Sequence, residues 1–312
     1  MVLESIFRGK QVIKKPYLML IFGFIVSICC NLLTYPFFRG ENAGLLAIAF
    51  ITIAAMPTIH SALSREERAE ARIPILCEKF FERNFELIAL YSYMTLGVIA
   101  GYAFLYVVLP ETNTALVCRG GSCIYLPSRT YVFAEQERAL SYVSQIASST
   151  GKATEIREAS FGEFMYWFSL IFENNFGVLV VALVLSFVFG AGAIFLICWN
   201  ASVVGTWIGG TILANNHLRM FGLLPHGIPE FVGYFLGAIG GALVSIAITR
   251  KRLYTKEIER ITIDSFILVV AAVISLLVGA AIEAGFKVGY NFFAFSFSLV
   301  YLLVIAFFIM KM

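Results

Sequence analysis

The sequence predicts an all-α polytopic membrane protein of about eight transmembrane helices, with one long extracytoplasmic loop and an interfacial amphipathic helix. Three observations carry this. Hydrophobic residues make up 60% of the chain and charged residues only 14%. Apolar runs of about 20 residues, the length a helix needs to cross a bilayer, recur along the sequence. Lys and Arg gather in alternate connections, as expected when basic loops stay on the cytoplasmic side. A β-barrel would show short alternating strands instead.

The spans read as Tyr17–Phe38, Ala43–Leu63, Phe85–Leu109, Asn174–Cys198, Ala201–Phe221, Ile228–Thr249, Ile263–Phe286 and Asn291–Met310. The first follows a basic start (Arg8, Lys10, Lys14, Lys15) and continues to Phe38 without a small-residue cleavage site, so it reads as retained. The second leads to Ser64–Glu82, rich in Arg and Glu, which reads as a cytoplasmic amphipathic helix. Ser64 would be its N-cap, Glu67 would close a capping box, and the mixed charges would form a solvated face. The fifth segment is interrupted by Gly205, Gly209 and Gly210, which leaves a re-entrant loop open. If it crosses, the basic connection Arg250–Arg260 falls on the same side as Arg65, Arg68, Arg72, Lys79 and Arg83, so a full crossing is preferred. Both termini are then cytoplasmic and the chain is a multi-pass protein of the cell membrane.

The third span sends Pro110–Glu163 outside. Cys118 and Cys123 bracket a Gly-Gly turn there, and in an oxidising compartment they are expected to form a disulfide. Tyr125, Tyr131 and Val132 suggest short strands around this turn, and Glu135–Ser148 has helical spacing, so the loop should cap the spans. Phe161–Phe172 is aromatic and amphipathic, suiting a helix in the outer interface. Cys29, Cys30, Cys77 and Cys198 have no ligand spacing and read as small apolar residues. Small-xxx-small pairs (Gly97/Gly101, Gly205/Gly209, Gly233/Gly237, Gly237/Gly241) favour close helix approach. The domain reading is residues 1–109 as a three-span region, 110–163 as the loop and 164–312 as a five-span core.

This topology places five polar residues at one depth near the outer leaflet: Asn174, Asn175, His226, Glu230 and Glu283. Ionisable groups are costly in a membrane, so they face protein or a water-filled cavity and mark functional sites. The alternative is structural, since such groups also satisfy helix ends and tie helices together. Pro229 adds the question of whether His226 and Glu230 share one helix face. Nucleophile elbow, phosphate loop and HExxH spacings are missing from the sequence.

At these residues the chain resembles the stage II sporulation protein M family. The resemblance rests on Phe172-Glu173-Asn174-Asn175, on Asn200 at the connection expected to follow, with Gly205 after it, on His226-Gly227-Ile228-Pro229-Glu230, and on Ile282-Glu283-Ala284. It covers roughly residues 161–286. The chain differs by two added N-terminal spans, a final one, and Ala201 after Asn200. The resemblance implies a multi-span membrane scaffold; in spore formers the family acts during engulfment with cell-wall hydrolases. Three functions stay open: a non-enzymatic scaffold that recruits partners through its outer loop, a transporter or channel with its entry at the polar cluster, and an intramembrane metal-dependent hydrolase. Expected partners are the lipid bilayer and other membrane or extracytoplasmic proteins, with a homo-oligomer left open. No cofactor, resident metal or nucleic acid is expected.

Overall fold

The computed structural model describes residues 15–38, 43–70, 80–119, 122–141, 160–216, 221–250 and 256–310. Among the described residues eight long helices carry the fold: α1 (Tyr17–Phe37), α2 (Ala43–Glu70), α3 (Phe80–Val108), α4 (Phe161–Phe189), α5 (Ile194–Leu213), α6 (Leu224–Thr249), α7 (Lys256–Lys287) and α8 (Asn291–Met310). Among the described residues, α1 to α7 are long and apolar enough to cross a membrane, and α8 adds a shorter apolar helix, Asn291–Phe307 in its described stretch. The protein is an all-α polytopic membrane protein. Between α3 and α4 a two-stranded antiparallel hairpin, β1 (Thr114–Arg119) and β2 (Ser122–Leu126), stands over one end of the bundle. That end is called the hairpin end below, and the opposite one the far end.

Glycine sets how closely the helices meet. A Cβ on Gly97 of α3 would run into the Leu20 carbonyl of α1, and one on Gly23 of α1 would sit 2.5 Å from the Met94 carbonyl of α3. The two backbones therefore touch along a parallel seam. The Gly205/Gly209 pair of α5 does the same against α3, at Ile99, Tyr102 and Tyr106. On α6, Gly237 and Gly241 receive Leu179, Leu183 and Ser186 of α4, while Gly233 receives Leu276 of α7. Lipid gives no hydrophobic incentive for helices to associate, so this contact between small residues supplies much of the cohesion. Tyr91 of α3, fully buried, stacks on Phe235 of α6 at 5.8 Å between ring centres and joins the two groups of helices.

The connection after β2 docks into the bundle. Phe133 is fully buried between the rings of Tyr102 and Tyr106 of α3. Three consecutive residues then each engage a different span. The Glu135 carboxylate lies against Gly44 in the first turn of α2, where the positive end of the helix favours an anion. Gln136 Nε2 donates to Ser202 Oγ of α5 at 3.2 Å, and Glu137 Oε1 accepts from Tyr106 OH of α3 at 2.9 Å. The loop is thus a fixed cap on α2, α3 and α5.

Several sequence expectations are corrected. Phe161–Phe172 is not a separate helix, because α4 runs unbroken for 29 residues from Phe161 to Phe189, started by Ser160 Oγ accepting from Glu163 N. At about 1.5 Å per residue α4 exceeds the hydrocarbon thickness, so its aromatic first turns reach the interface as an extension of the span. The fourth span ends at Phe189, not Cys198. Gly190 adopts φ 71°, a left-handed conformation that glycine takes without strain, and the chain turns before α5. The fifth helix is accordingly 194–213 and not 201–221. Asn200 therefore lies inside α5, its Nδ2 donating back to Leu196 O at 2.9 Å, and not at a connection.

Ser64 is no N-cap either. α2 passes through it to Glu70, and Glu66 and Glu67 are buried, not on a solvated face; 71–79 of the expected Ser64–Glu82 helix lie outside the described residues. Glu67 is fully buried and ion-paired to Arg250 at the C-terminus of α6, which pins the far end of the bundle. Tyr125 is in β2 as expected, whereas Tyr131 and Val132 belong to a single helical turn, Arg129–Val132, capped by Ser128. Helix follows at 134–141, and the rest of the expected Glu135–Ser148 helix lies outside the described residues. Cys29 is exposed and Cys30 and Cys198 are buried, all three as free thiols; Cys77 lies outside the described residues. Cys118 and Cys123 are directly opposite each other in the hairpin register, and their side chains lie outside the described set.

Candidate functional site

The polar residues singled out in the sequence sit at the hairpin end, where α4, α6 and α7 meet. Asn174 and Asn175 fall in mid-helix on α4. Asn175 is buried and Asn174 exposed. On α6 the helix starts at Leu224, four residues before the expected boundary, with Pro225 in its first turn, where a missing N–H costs nothing. His226 and Glu230 are therefore both helical and, four apart, share one face. Pro229 does not separate them. Its carbonyl gains a partner from α7, Ser275 Oγ donating at 2.7 Å, and Tyr301 of α8 reaches the same hydroxyl.

Asn175 is the junction. Its Nδ2 donates to Glu230 Oε1 at 2.9 Å, and its Oδ1 accepts from Tyr234 OH at 3.0 Å and from Asn174 Nδ2 at 3.3 Å. The amide oxygen has two lone pairs and both are used. Gly279 of α7 makes this geometry possible. A Cβ there would stand 2.9 Å from Glu230 Cγ and 3.4 Å from the His226 carbonyl, so the Glu230 stem lies directly on the α7 backbone.

Glu283 is one turn farther toward the hairpin end of α7. It pairs with Lys287 at 3.5 Å, and Lys287 Nζ lies 4.9 Å from the centre of the Trp167 ring of α4. The Glu283 side chain retains about a quarter of its exposure, so it closes the cluster on the accessible side. Four residues after Gly279, it lies on the α7 face that meets His226 and Glu230. His226 Nδ1 is enclosed and has no hydrogen-bond partner among the described residues.

The structure therefore links Asn174, Asn175 and Glu230 by direct hydrogen bonds and sets His226 and Glu283 beside them without a direct bond. Sequence reading missed Tyr234, Gly279, Ser275, Lys287 and Trp167. A signal existed for two of them, since Tyr234 follows Glu230 by four residues and Lys287 follows Glu283 by four, spacings that put each pair on one helix face. Gly279 and Ser275 are ordinary in a membrane helix and gave no signal. Among the described residues no group of three or more His, Cys, Asp or Glu side chains is arranged to hold a metal ion, so His226, Glu230 and Glu283 do not converge as ligands. The arrangement can bind helices together, hold a carboxylate in a dry site by a neutral amide, and offer one unfilled imidazole nitrogen.

A family model described as Stage II sporulation protein M matches residues 87–309, from the first third of α3 to the end of α8, more than half of the chain. No curated protein and no solved structure matches the chain.

Proposed function

This chain belongs to the stage II sporulation protein M family, and on that premise we propose that it is a non-enzymatic membrane scaffold that holds partner proteins through its hairpin end. The observation that carries this reading is the Asn175 junction. Asn175 of α4 engages Glu230 and Tyr234 of α6, and Ser275 of α7 bonds the α6 backbone, as expected of groups that fix the relative positions of helices. The docked loop supports the same reading. It is tied to three spans and carries the hairpin beside them, a platform for a partner.

The hairpin end faces the outside and both termini the cytoplasm. Support comes from the far end, where Arg65, Arg68, Arg250 and Arg260 collect at the ends of α2, α6 and α7. A disulfide between Cys118 and Cys123 closes the hairpin. Directly opposed residues of an antiparallel pair have Cα atoms about 4.5–5.5 Å apart, within the roughly 4.4–6.8 Å range that a disulfide spans, and the register opposes these two. Non-reducing mass spectrometry of the loop peptide should show the loss of two hydrogens, and two free thiols in oxidised protein would remove the disulfide.

The scaffold is tested by crosslinking and purification of the full chain from its native membrane, beside a variant with Thr114–Leu126 replaced by a short Gly-Ser linker. Extracytoplasmic partners present with the first and lost with the second are expected. Identical partner sets would overturn the proposal. A second reading, a transporter or channel entered at the cluster, is favoured by His226 Nδ1, which is enclosed, without a hydrogen-bond partner among the described residues, and on the helix face it shares with Glu230. It expects solute or ion flux in proteoliposomes.

A further inference from the structure

The face of α6 opposite His226 and Glu230 borders a cleft of about 350 Å³ between α3, α5 and α6. Its mouth is at the hairpin end, at Leu224, Gly227 and Ile208, and its base is at Phe235, Ser92 and Thr95. From Leu224 to Phe235 the α6 axis advances about 16 Å, close to half of the roughly 30 Å hydrocarbon thickness of a bilayer. We infer that this cleft holds one acyl chain of a membrane lipid.

Three features lead to that occupant. The cleft runs along the helix axes, so it begins where headgroups lie and stops near the midplane, the reach of a chain from a single leaflet. Its walls are apolar, and the only hydroxyls, on Ser92 and Thr95, are both at the base. A water needs two to four polar partners, so water does not fill the length of the cleft, and an empty apolar volume of this size forfeits packing on every wall. The cleft is open sideways past Leu96, which is about half exposed, so a chain can enter from the bilayer without passing through the protein. None of this depends on the polar cluster or on the scaffold reading.

Gly227 allows a direct test. A Cβ there would meet only Leu223 Cγ, at an ordinary 3.5 Å, so α6 accepts a side chain that fills the mouth. The full chain is reconstituted with a phosphatidylglycerol that carries a photoreactive diazirine near the end of one acyl chain, then irradiated and digested. Labelling of the Ser92–Ile99 and Phe231–Phe235 peptides should exceed severalfold that of the bilayer-facing residues Val180 and Val184 on α4 and Leu299 and Leu303 on α8. In Gly227→Phe the first two peptides should lose the label while α4 and α8 keep it. Ile208→Trp fills the cleft from α5 and serves if Gly227→Phe does not fold. Even labelling of all bilayer-facing helices in the wild-type protein would overturn the inference, leaving annular lipid only. Crosslinks between two copies at Leu96 would overturn it in favour of a self-association face.

Discussion

The α1–α3 seam and the α6–α7 seam are both built on glycine, but the glycines meet different things. At Gly97 and Gly23 of the α1–α3 seam the obstacle to a Cβ is a backbone carbonyl, Leu20 O and Met94 O, while Gly101 meets the Ser27 hydroxyl. At Gly233 and Gly279 of the α6–α7 seam it is a side chain, Leu276 and Glu230, while Gly240 meets the Ser265 carbonyl at 3.1 Å. A carbonyl fixed in a helix cannot move aside, whereas a leucine branch or a glutamate stem can change rotamer. The first seam is therefore rigid at Gly97 and Gly23, and the second is adjustable at Gly233 and Gly279, the end that carries the polar cluster. The polar cluster is on the adjustable one, where a small shift of α7 reaches Glu230 directly.

The largest expected effect breaks this comparison on its rigid side. Gly97→Ala should destabilise the protein by about 3 kcal/mol, the upper end of the overpacking range, because α1 and α3 must separate along the seam. Unfolding in mixed micelles, followed by tryptophan fluorescence or by circular dichroism, measures it. A loss below that of Gly279→Ala would show that the α1–α3 seam is the softer one.

Asn175→Leu comes next. It removes two interhelical bonds, each worth about 0.6 kcal/mol on average in a membrane protein, and leaves the Glu230 carboxylate without its amide donor. The expected loss is about 1–2 kcal/mol. Gly279→Ala should cost about 1 kcal/mol, less than Gly97→Ala because the Glu230 stem moves. It should also weaken the Asn175–Glu230 bond, so the double variant Gly279→Ala/Asn175→Leu should lose less than the sum of the two single losses. Strict additivity would show that the Glu230 stem does not respond to α7.

The two seams also differ in how far the sequence exposes them. Hydropathy places the first helix and the last one well, since each apolar run ends at charges or a proline, and finds the second and third with α2 extending seven residues past Leu63 and α3 starting five before Phe85. It misplaces the boundary between α4 and α5, because Gly190-Ala191-Gly192 is small and apolar and reads as more membrane until the backbone of Gly190 is seen to turn. It misreads Glu67 as solvated because its partner Arg250 is 183 residues away, and charge patterning sees only neighbours. Site residues are legible where they are rare for their depth: Asn175, His226, Glu230 and Glu283 stand out in apolar runs. Gly279, which shapes the site as much as any of them, does not, because its role is what it lacks. The Asn174–Asn175 pair reads as the opening of a span, yet α4 begins at Phe161, so the pair is a mid-helix junction.

The smallest expected effect sharpens the comparison most, because it separates stability from function at the adjustable seam. Glu283 is partly exposed and its partner Lys287 is four residues on, a pairing worth about 0.3–0.5 kcal/mol. Glu283→Gln keeps the shape, leaves an amide able to hydrogen-bond, and removes the charge from the α7 face that meets His226 and Glu230. Folding stability should change by less than about 0.5 kcal/mol. If the cluster only joins helices, the crosslinked partner set stays that of the wild type and proteoliposomes of both proteins are equally tight. If the cluster admits a cation or proton, flux is present in the wild type and falls in Glu283→Gln at unchanged stability. That second outcome would overturn the scaffold and make the adjustable seam, with its enclosed His226 nitrogen, the moving part of a transporter.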